Sequence, residues 1–380
     1  MSDPIYLDHN ATTPVAPEVL DAMLPWLRGE YGNPSSTHPY GRRAAQAVAT
    51  ARGQVAELIG AAAQEIVFTG CATEANNLGL LGVARALGAE RRHLVVSAVE
   101  HPAVMAPAMH LRSQGWDVTV LPVDSFGRVS VDDVGRALRP DTALVSVMHA
   151  NNEVGTLQPV AAIATLTRPR GILLHTDAAQ SAGKMRVDVD ELGVDLLTLA
   201  GHKFNAPKGV GALYVRAGTP IRAVMHGAEQ EHGLRPGTEN VAMIVALGAA
   251  AALASASLPD LTPKLLALRD RLHAQLEAGV PGLQLNGHPQ HRLPNTLHVS
   301  FPGVSGRALL AEAADTVAAS VGSACHSEHD AVSGVLAAMG IGAARALGAV
   351  RLSVGRTTLV DDIDRAVAAL VSAWAGLAKP

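Results

Sequence analysis

DLLTLAGHKFNAPKGVGALYV (195–215) sets two short apolar runs, DLLTL (195–199) and GALYV (211–215), around a polar loop that carries His202 and Lys203. Apolar runs of roughly four to eight residues without alternation suit strands buried on both faces. Five more lie upstream: EIVFT (65–69), HLVVS (93–97), DVTVL (117–121), ALVSV (143–147) and GILLH (171–175). Ala-rich stretches such as EANNLGLLGVARALG (74–88) and PAVMAPAMHLRSQG (102–115) read as helices between them. This alternation predicts an α/β fold, with a mostly parallel seven-stranded sheet between helices.

The rhythm changes after about residue 257. LTPKLLALRDRLHAQLEAG (261–279) reads as an amphipathic helix with a Thr-Pro start and a Gly stop. LQLNG, NTLHVSF, a helix near 305–313, AVRLSV (349–354) and a closing helix from about 360 follow. These predict a smaller α+β domain, made of 258–380 with the N-terminal arm 1–15, beside a large domain of 16–257. The arm and the first helices (17–28 and 40–59) are expected to fold back onto the smaller part.

Composition excludes several classes. Apolar residues make up 48% and charged residues 17%, an ordinary balance with ample core material. A formal charge of −4 offers no basic surface, so neither nucleic acid nor a membrane is expected as a partner. Two cysteines cannot form a disulfide framework. The first residues, MSDPIYLDHNATTP, lack the regions of a signal peptide, and a cytoplasmic location is expected. NVAMIVALGAAAALASASL (240–258) is apolar but mostly Ala and Gly, and reads as a buried helix. The sixteen histidines are scattered with no H-x-x-x-H pair, and no metal is expected.

In an open α/β sheet, ligands sit beyond the carboxyl ends of the strands, and polar clusters fall there. FTGCATEANN (68–77) follows a strand and opens a helix, so Ala72 and Thr73 are candidate phosphate binders, although a plain helix start reads the same way. HTDAAQ (175–180) puts Asp177 behind another strand, and Lys203 follows twenty-six positions later behind a third. Pyridoxal phosphate (PLP) asks a protein for an amine, an acid for the pyridine nitrogen and a phosphate cup. Lys203, Asp177 and the helix start at Thr73 supply all three. His101 of SAVEHPAV (97–104) is placed to stack on a flat ring and to move protons near neutral pH; in isolation it is an ordinary loop histidine.

YLDHNATTP, GNPSSTH, FTGCATEANN, VEHPAV, NNEVGTLQP, HTDAAQ, GHKF, PKGVGALYVR, RPGTEN, GSAC and RLSVGR run in this order over nearly the whole chain. Eleven segments in this order resemble the PLP-dependent cysteine desulfurases and selenocysteine lyases of aminotransferase class V. The resemblance implies the fold type I of PLP-dependent transferases and a homodimer. It implies Lys203 for the Schiff base, Asp177 for the pyridinium nitrogen, Gln180 for the ring's phenolic oxygen and His101 for stacking and proton transfer. Thr73 and His202 would bind the phosphate, with Thr238 contributed by a second subunit. Asn152 and Arg351 would hold the carboxylate of L-cysteine or L-selenocysteine.

Cys325 of VGSACHSEHD (321–330) would then be the nucleophile that takes sulfur or selenium, leaving L-alanine and an enzyme persulfide or selenopersulfide. Small neighbours suit a mobile segment, and an acceptor protein is implied. Cys71, by contrast, reads as a packing residue. One departure stands before GHK, where a serine that bonds the phosphate is common and this chain has Ala200, so one phosphate hydrogen bond is expected to be missing, or replaced by a neighbour such as Cys71 or Thr198, with slightly looser PLP retention. The wording around Cys325, with GKMRVDVDELGVDLLTLAGHKF and RLSVGRTT, leans to selenium. A general desulfurase supplying iron–sulfur clusters or tRNA thiolation, and a class-V aminotransferase of other specificity, are the alternatives. A catalytically silent scaffold is disfavoured by the presence of Lys203 and Asp177.

Overall fold

The computed structural model describes residues 3–88, 90–321 and 333–378. A short strand, β1 (Ile5–Tyr6), precedes the seven strands of the main sheet. These are β2 (Ile66–Thr69), β3 (His93–Ser97), β4 (Asp117–Leu121), β5 (Thr142–Ser146), β6 (Leu173–Asp177), β7 (Leu196–Ala200) and β8 (Gly211–Val215), in the order β2-β8-β7-β6-β5-β3-β4. Each corresponds to one of the seven apolar runs. Strands β4, β3, β5, β6 and β7 are parallel, whereas β8 runs antiparallel to both β7 and β2.

Every residue of β2, β3, β5 and β7 is buried, because helices cover both faces; this is why those runs do not alternate. Edge strand β4 exposes Asp117 and Val120. Strand β6 starts two residues later than GILLH suggests and ends on Asp177 itself, so that carboxylate belongs to the sheet's rim rather than to a loop beyond it.

The smaller unit holds β9 (Gln284–Asn286), β10 (Thr296–Ser300) and β12 (Ala349–Ser353), antiparallel with β10 in the centre. Strand β11 (Val317–Ala318) pairs in parallel with β1. Ile5 and Leu7 thereby join a core with Leu297, Val350, Leu352 and, from the closing helix Val360–Leu377, Ile363 and Leu370.

Two expectations change. The helices Pro17–Arg28 and Pro39–Leu58 do not lie on this smaller core. Val19, Met23, Val48 and Val55 join the core of the main sheet instead, with Ile244, Leu247 and Ala251 of the helix Val241–Gly279. Thr262-Pro263 does not start a helix either. One continuous helix of 39 residues runs through Pro259 and Pro263. An interior proline costs about 3 kcal/mol. Buried leucines offset it: Leu265, Leu268, Leu272 and Leu276 all enter the smaller core, at about 1.5–3 kcal/mol each. This helix is long and apolar enough to cross a membrane, yet its first half is packed against the helices of residues 17–58 and its second half against the smaller sheet.

Candidate active site

Parallel strands β3, β5, β6 and β7 all end on one edge of the sheet, and the polar residues gather there. A single 3₁₀ turn, Gly201–Lys203, follows β7 and presents Lys203. Its Nζ donates to the carbonyls of Asn10 (2.6 Å) and Ala11 (2.9 Å), both on the N-terminal arm. His101 caps the helix Pro102–Ser113, its Nδ1 accepting from the Ala103 N–H at 3.1 Å. Burial lowers its pKa; Asp177 pulls the other way and Lys203 adds to the lowering, so all three groups feel one another.

Asp177 is buried and accepts from Asn76 Nδ2 (2.8 Å) and the Ala179 N–H (2.9 Å). Behind it, buried His175 bonds Ser146 Oγ through Nδ1 (2.7 Å) and Thr198 Oγ1 through Nε2 (3.2 Å). Burial pushes the His175 pKa down to about 4, so the ring is neutral at pH 7. Gln180 Nε2 donates to the Asn10 carbonyl at 3.0 Å. The Nδ1 of His202 lies 3.1 Å from Thr12 Oγ1, and burial first, then Lys203, Lys208 and Lys184, bring its pKa to about 4.

Arg351 on β12 reaches the same place from the smaller unit. Its Nη2 donates to Asp8 Oδ1 at 2.7 Å and its Nη1 to the Asn152 carbonyl at 2.9 Å. Asn152 contributes backbone to this contact, and the same carbonyl accepts from Asn10 Nδ2 at 3.3 Å. The phosphate candidates Ala72 and Thr73 open the helix Ala72–Leu87, whose N-cap, Cys71, makes no side-chain cap bond. Thr73 and His101 line one groove of about 570 Å³.

Some expectations fare differently. Cys71 is exposed, not packed: its extended backbone leaves the side chain at the helix entrance, outside the core. Thr198 is no ready substitute for the serine missing at Ala200, because its hydroxyl already bonds His175. Thr238 is exposed, on a loop of its own chain. Cys325 lies outside the described residues. Sequence reading gave no role to Asn10, Asp8, Asn76 or Lys184, although three of them stand inside the quoted segments YLDHNATTP and FTGCATEANN, and Lys184 inside GKMRV.

The aminotransferase class-V family profile matches residues 5–366. The chain belongs to the aminotransferase class-V family. It is 44% identical over 365 residues to the cysteine desulfurase IscS of Dictyoglomus turgidum, covering 96% of this chain and 93% of that protein. A solved structure described as a NifS-like protein superposes with a TM-score of 0.91 at 36% identity, covering 97% of this chain and 98% of the other. SspA, solved in complex with cysteine, gives a TM-score of 0.81 at 34% identity, covering 93% and 99%.

As a class-V protein the chain is a PLP-dependent enzyme. The donor set at the sheet edge fits that cofactor: one amine, one buried carboxylate and imidazoles whose pKa values burial lowers stand there together. At the phosphate end, the helix entrance packs directly on β8, where a Cβ added to Gly211 would lie 2.9 Å from Cys71 C and 3.1 Å from Ala72 N. Any larger residue at Gly211 would displace the backbone N–H groups that a phosphate needs.

Proposed function

We propose that this class-V enzyme is a cysteine desulfurase, taking sulfur from L-cysteine and releasing L-alanine. The reading is carried by the convergence of Lys203, His101 and Asp177 on one sheet edge, in a chain whose curated relatives bear that name. Bound PLP supplies an electron sink for the substrate's α-carbon. Lys203 would hold the cofactor, and its amine would move the α-proton. Asp177, held by Asn76 and Ala179, would pair with the ring nitrogen, Gln180 would donate to the ring oxygen, and His101 would stack on the ring and serve in proton transfer. Ala72, Thr73 and His202 would bind the phosphate, and Thr238, exposed in this chain, would reach the phosphate of a second copy in a homodimer.

Arg351 receives the substrate carboxylate, which shares or replaces the Asp8 carboxylate now on its Nη2, with Asn152 beside it. The Cys325 thiolate then attacks the substrate sulfur. An Sγ–S bond forms as the Cβ–S bond breaks; its electron pair goes to carbon, which takes a proton, and Cys325 is left as a persulfide for an acceptor protein.

A second reading, selenocysteine lyase, is favoured by Ala200 and by the acids Glu328 and Asp330 after Cys325. Purified enzyme is offered L-cysteine and L-selenocysteine, reading alanine, sulfide and selenide together. Turnover of L-cysteine, abolished by Lys203→Ala and reduced at least about 100-fold by Cys325→Ala, is expected. Turnover of selenocysteine alone would move the assignment to the lyase. Full activity of Cys325→Ala on another amino acid would move it to a class-V aminotransferase.

A further inference from the structure

Lys184 has no part in the reading above, yet it is buried beside the pocket. Its Nζ donates to Gln180 Oε1 at 2.9 Å and to Asn10 Oδ1 at 3.1 Å. Among the described residues its bonded partners are these two amide oxygens and no carboxylate. The groups that face it are Arg351 from β12, His202 and Lys203 from the turn after β7, and His9 from the arm. The helix Val241–Gly279 contributes only the Thr262 hydroxyl, which donates to the Lys184 carbonyl. Burial, then Lys203 and Arg351, lower the Lys184 pKa well below the ordinary lysine value.

The Gln180 amide can face only one way in this setting. Lys184 can only donate to its oxygen, while the Asn10 carbonyl can only accept from its NH₂ group. That carbonyl also accepts from Lys203 Nζ, so the Gln180 NH₂ and the Lys203 amine converge on a single oxygen. The NH₂ group keeps a second hydrogen. We propose that Lys184 is a positioning residue, whose simultaneous hold on Gln180 Oε1 and Asn10 Oδ1 fixes the Gln180 amide with its N–H donors toward the Lys203 pocket. With Lys184 removed, the Gln180 oxygen loses its donor and only the Asn10 carbonyl still orders the amide, so the amide also populates the turned form, with its oxygen against the oxygen of the ring. The assignment rests on the reading that Gln180 meets the cofactor's ring oxygen.

The test uses PLP-loaded enzyme and the pH midpoint of its visible absorption band, for wild type, Lys184→Met, Gln180→Leu and the double variant. A donor on an anionic ring oxygen favours the deprotonated form, so Lys184→Met is expected to raise the midpoint by about one unit, tenfold in proton affinity. The double variant is expected to match Gln180→Leu alone. A shift of the same size in the Gln180→Leu background would mean that Lys184 acts through its own charge, and would overturn the assignment. No shift in Lys184→Met alone would overturn it as well. No shift in Gln180→Leu would instead remove the reading of Gln180, and the assignment with it.

A measurement on the native side chain covers a variant that does not fold. The chain has only five lysines. In holoenzyme labelled with [ε-¹³C]lysine, the Lys184 signal is assigned after Lys208→Arg, Lys264→Arg and Lys379→Arg. It is expected to move in Gln180→Leu, which removes one of its two acceptors while Lys184 itself is intact; an unchanged signal would overturn the proposal.

Discussion

Glu100 shows how far a single residue can depart from its ordinary chemistry. It precedes His101, is buried, and accepts through Oε1 from Ser97 Oγ (2.5 Å) and from the Met148 N–H (2.9 Å). Burial above all, with a smaller push from Asp177, raises its pKa to about 8, although the Ser97 and Met148 bonds oppose this. The folded chain therefore keeps a proton that the unfolded chain releases above about pH 4.5. Its contribution to stability is complete below that pH and is lost as pH rises through about 8. Glu100→Gln keeps the acceptor without the charge. Its gain in urea unfolding free energy is expected to be under about 1 kcal/mol at pH 5 and about 4 kcal/mol at pH 8. A gain that does not grow with pH would show an ordinary carboxylate there. Lys203, Asp177 and His101 were legible because each follows an apolar run. Lys184 and Asn10 were not, since they meet across 174 positions of chain.

At the scale of elements, the loop leading to Thr238 is anchored at a cost. Glu231 and His232 sit at φ 49° and 59°, left-handed values that non-glycine residues disfavour by about 1–2 kcal/mol each. The Glu231 carboxylate holds them. It accepts from Arg52 of the helix Pro39–Leu58 at 2.6 and 2.7 Å, and from the Phe68 N–H of β2 at 2.7 Å. Its side chain is 3% exposed and that of Arg52 14%, so the pair is shielded from water. Glu231→Ala would strand the Arg52 guanidinium, and a loss of about 3–5 kcal/mol by urea unfolding is expected. A loss below about 1 kcal/mol would mean that the loop is held by other contacts. RPGTEN could be read in the sequence as a functional segment, but its anchor, Arg52, lies in an unremarkable helix and owes its role to packing alone.

For the whole molecule, buried neutral histidines set the response to acid. His149 and His175 are lowered by burial to about 4, and His298, through burial and then Arg351 and Arg345, to about 3. Unfolded histidines titrate near 6.5, so the unfolded chain binds protons that the folded chain refuses. The stability they contribute is complete above that value and is lost as pH falls toward 4. Glu100 offsets one of the three protons in the middle of this range. Near pH 5.5, unfolding is expected to take up at least about two protons, a slope of roughly 2.7 kcal/mol per pH unit in urea titrations. A flat profile from pH 6.5 to 5 would show that these rings are open to water.

The sequence by itself determined the seven strands of the main sheet and the amine, acid and imidazole at or beyond the ends of three of them. Those signals are local: an unbroken apolar run identifies a doubly covered strand, and parallel strands put their carboxyl ends on one edge. Only the tertiary structure decided that one helix passes two prolines to join both cores. It alone brought Asp8 onto Arg351, and a buried lysine onto the Gln180 oxygen. Long-range packing created these features. Burial strips water from groups that are unremarkable along the chain, and their partners, 170 or more positions away, then fix their charge and orientation.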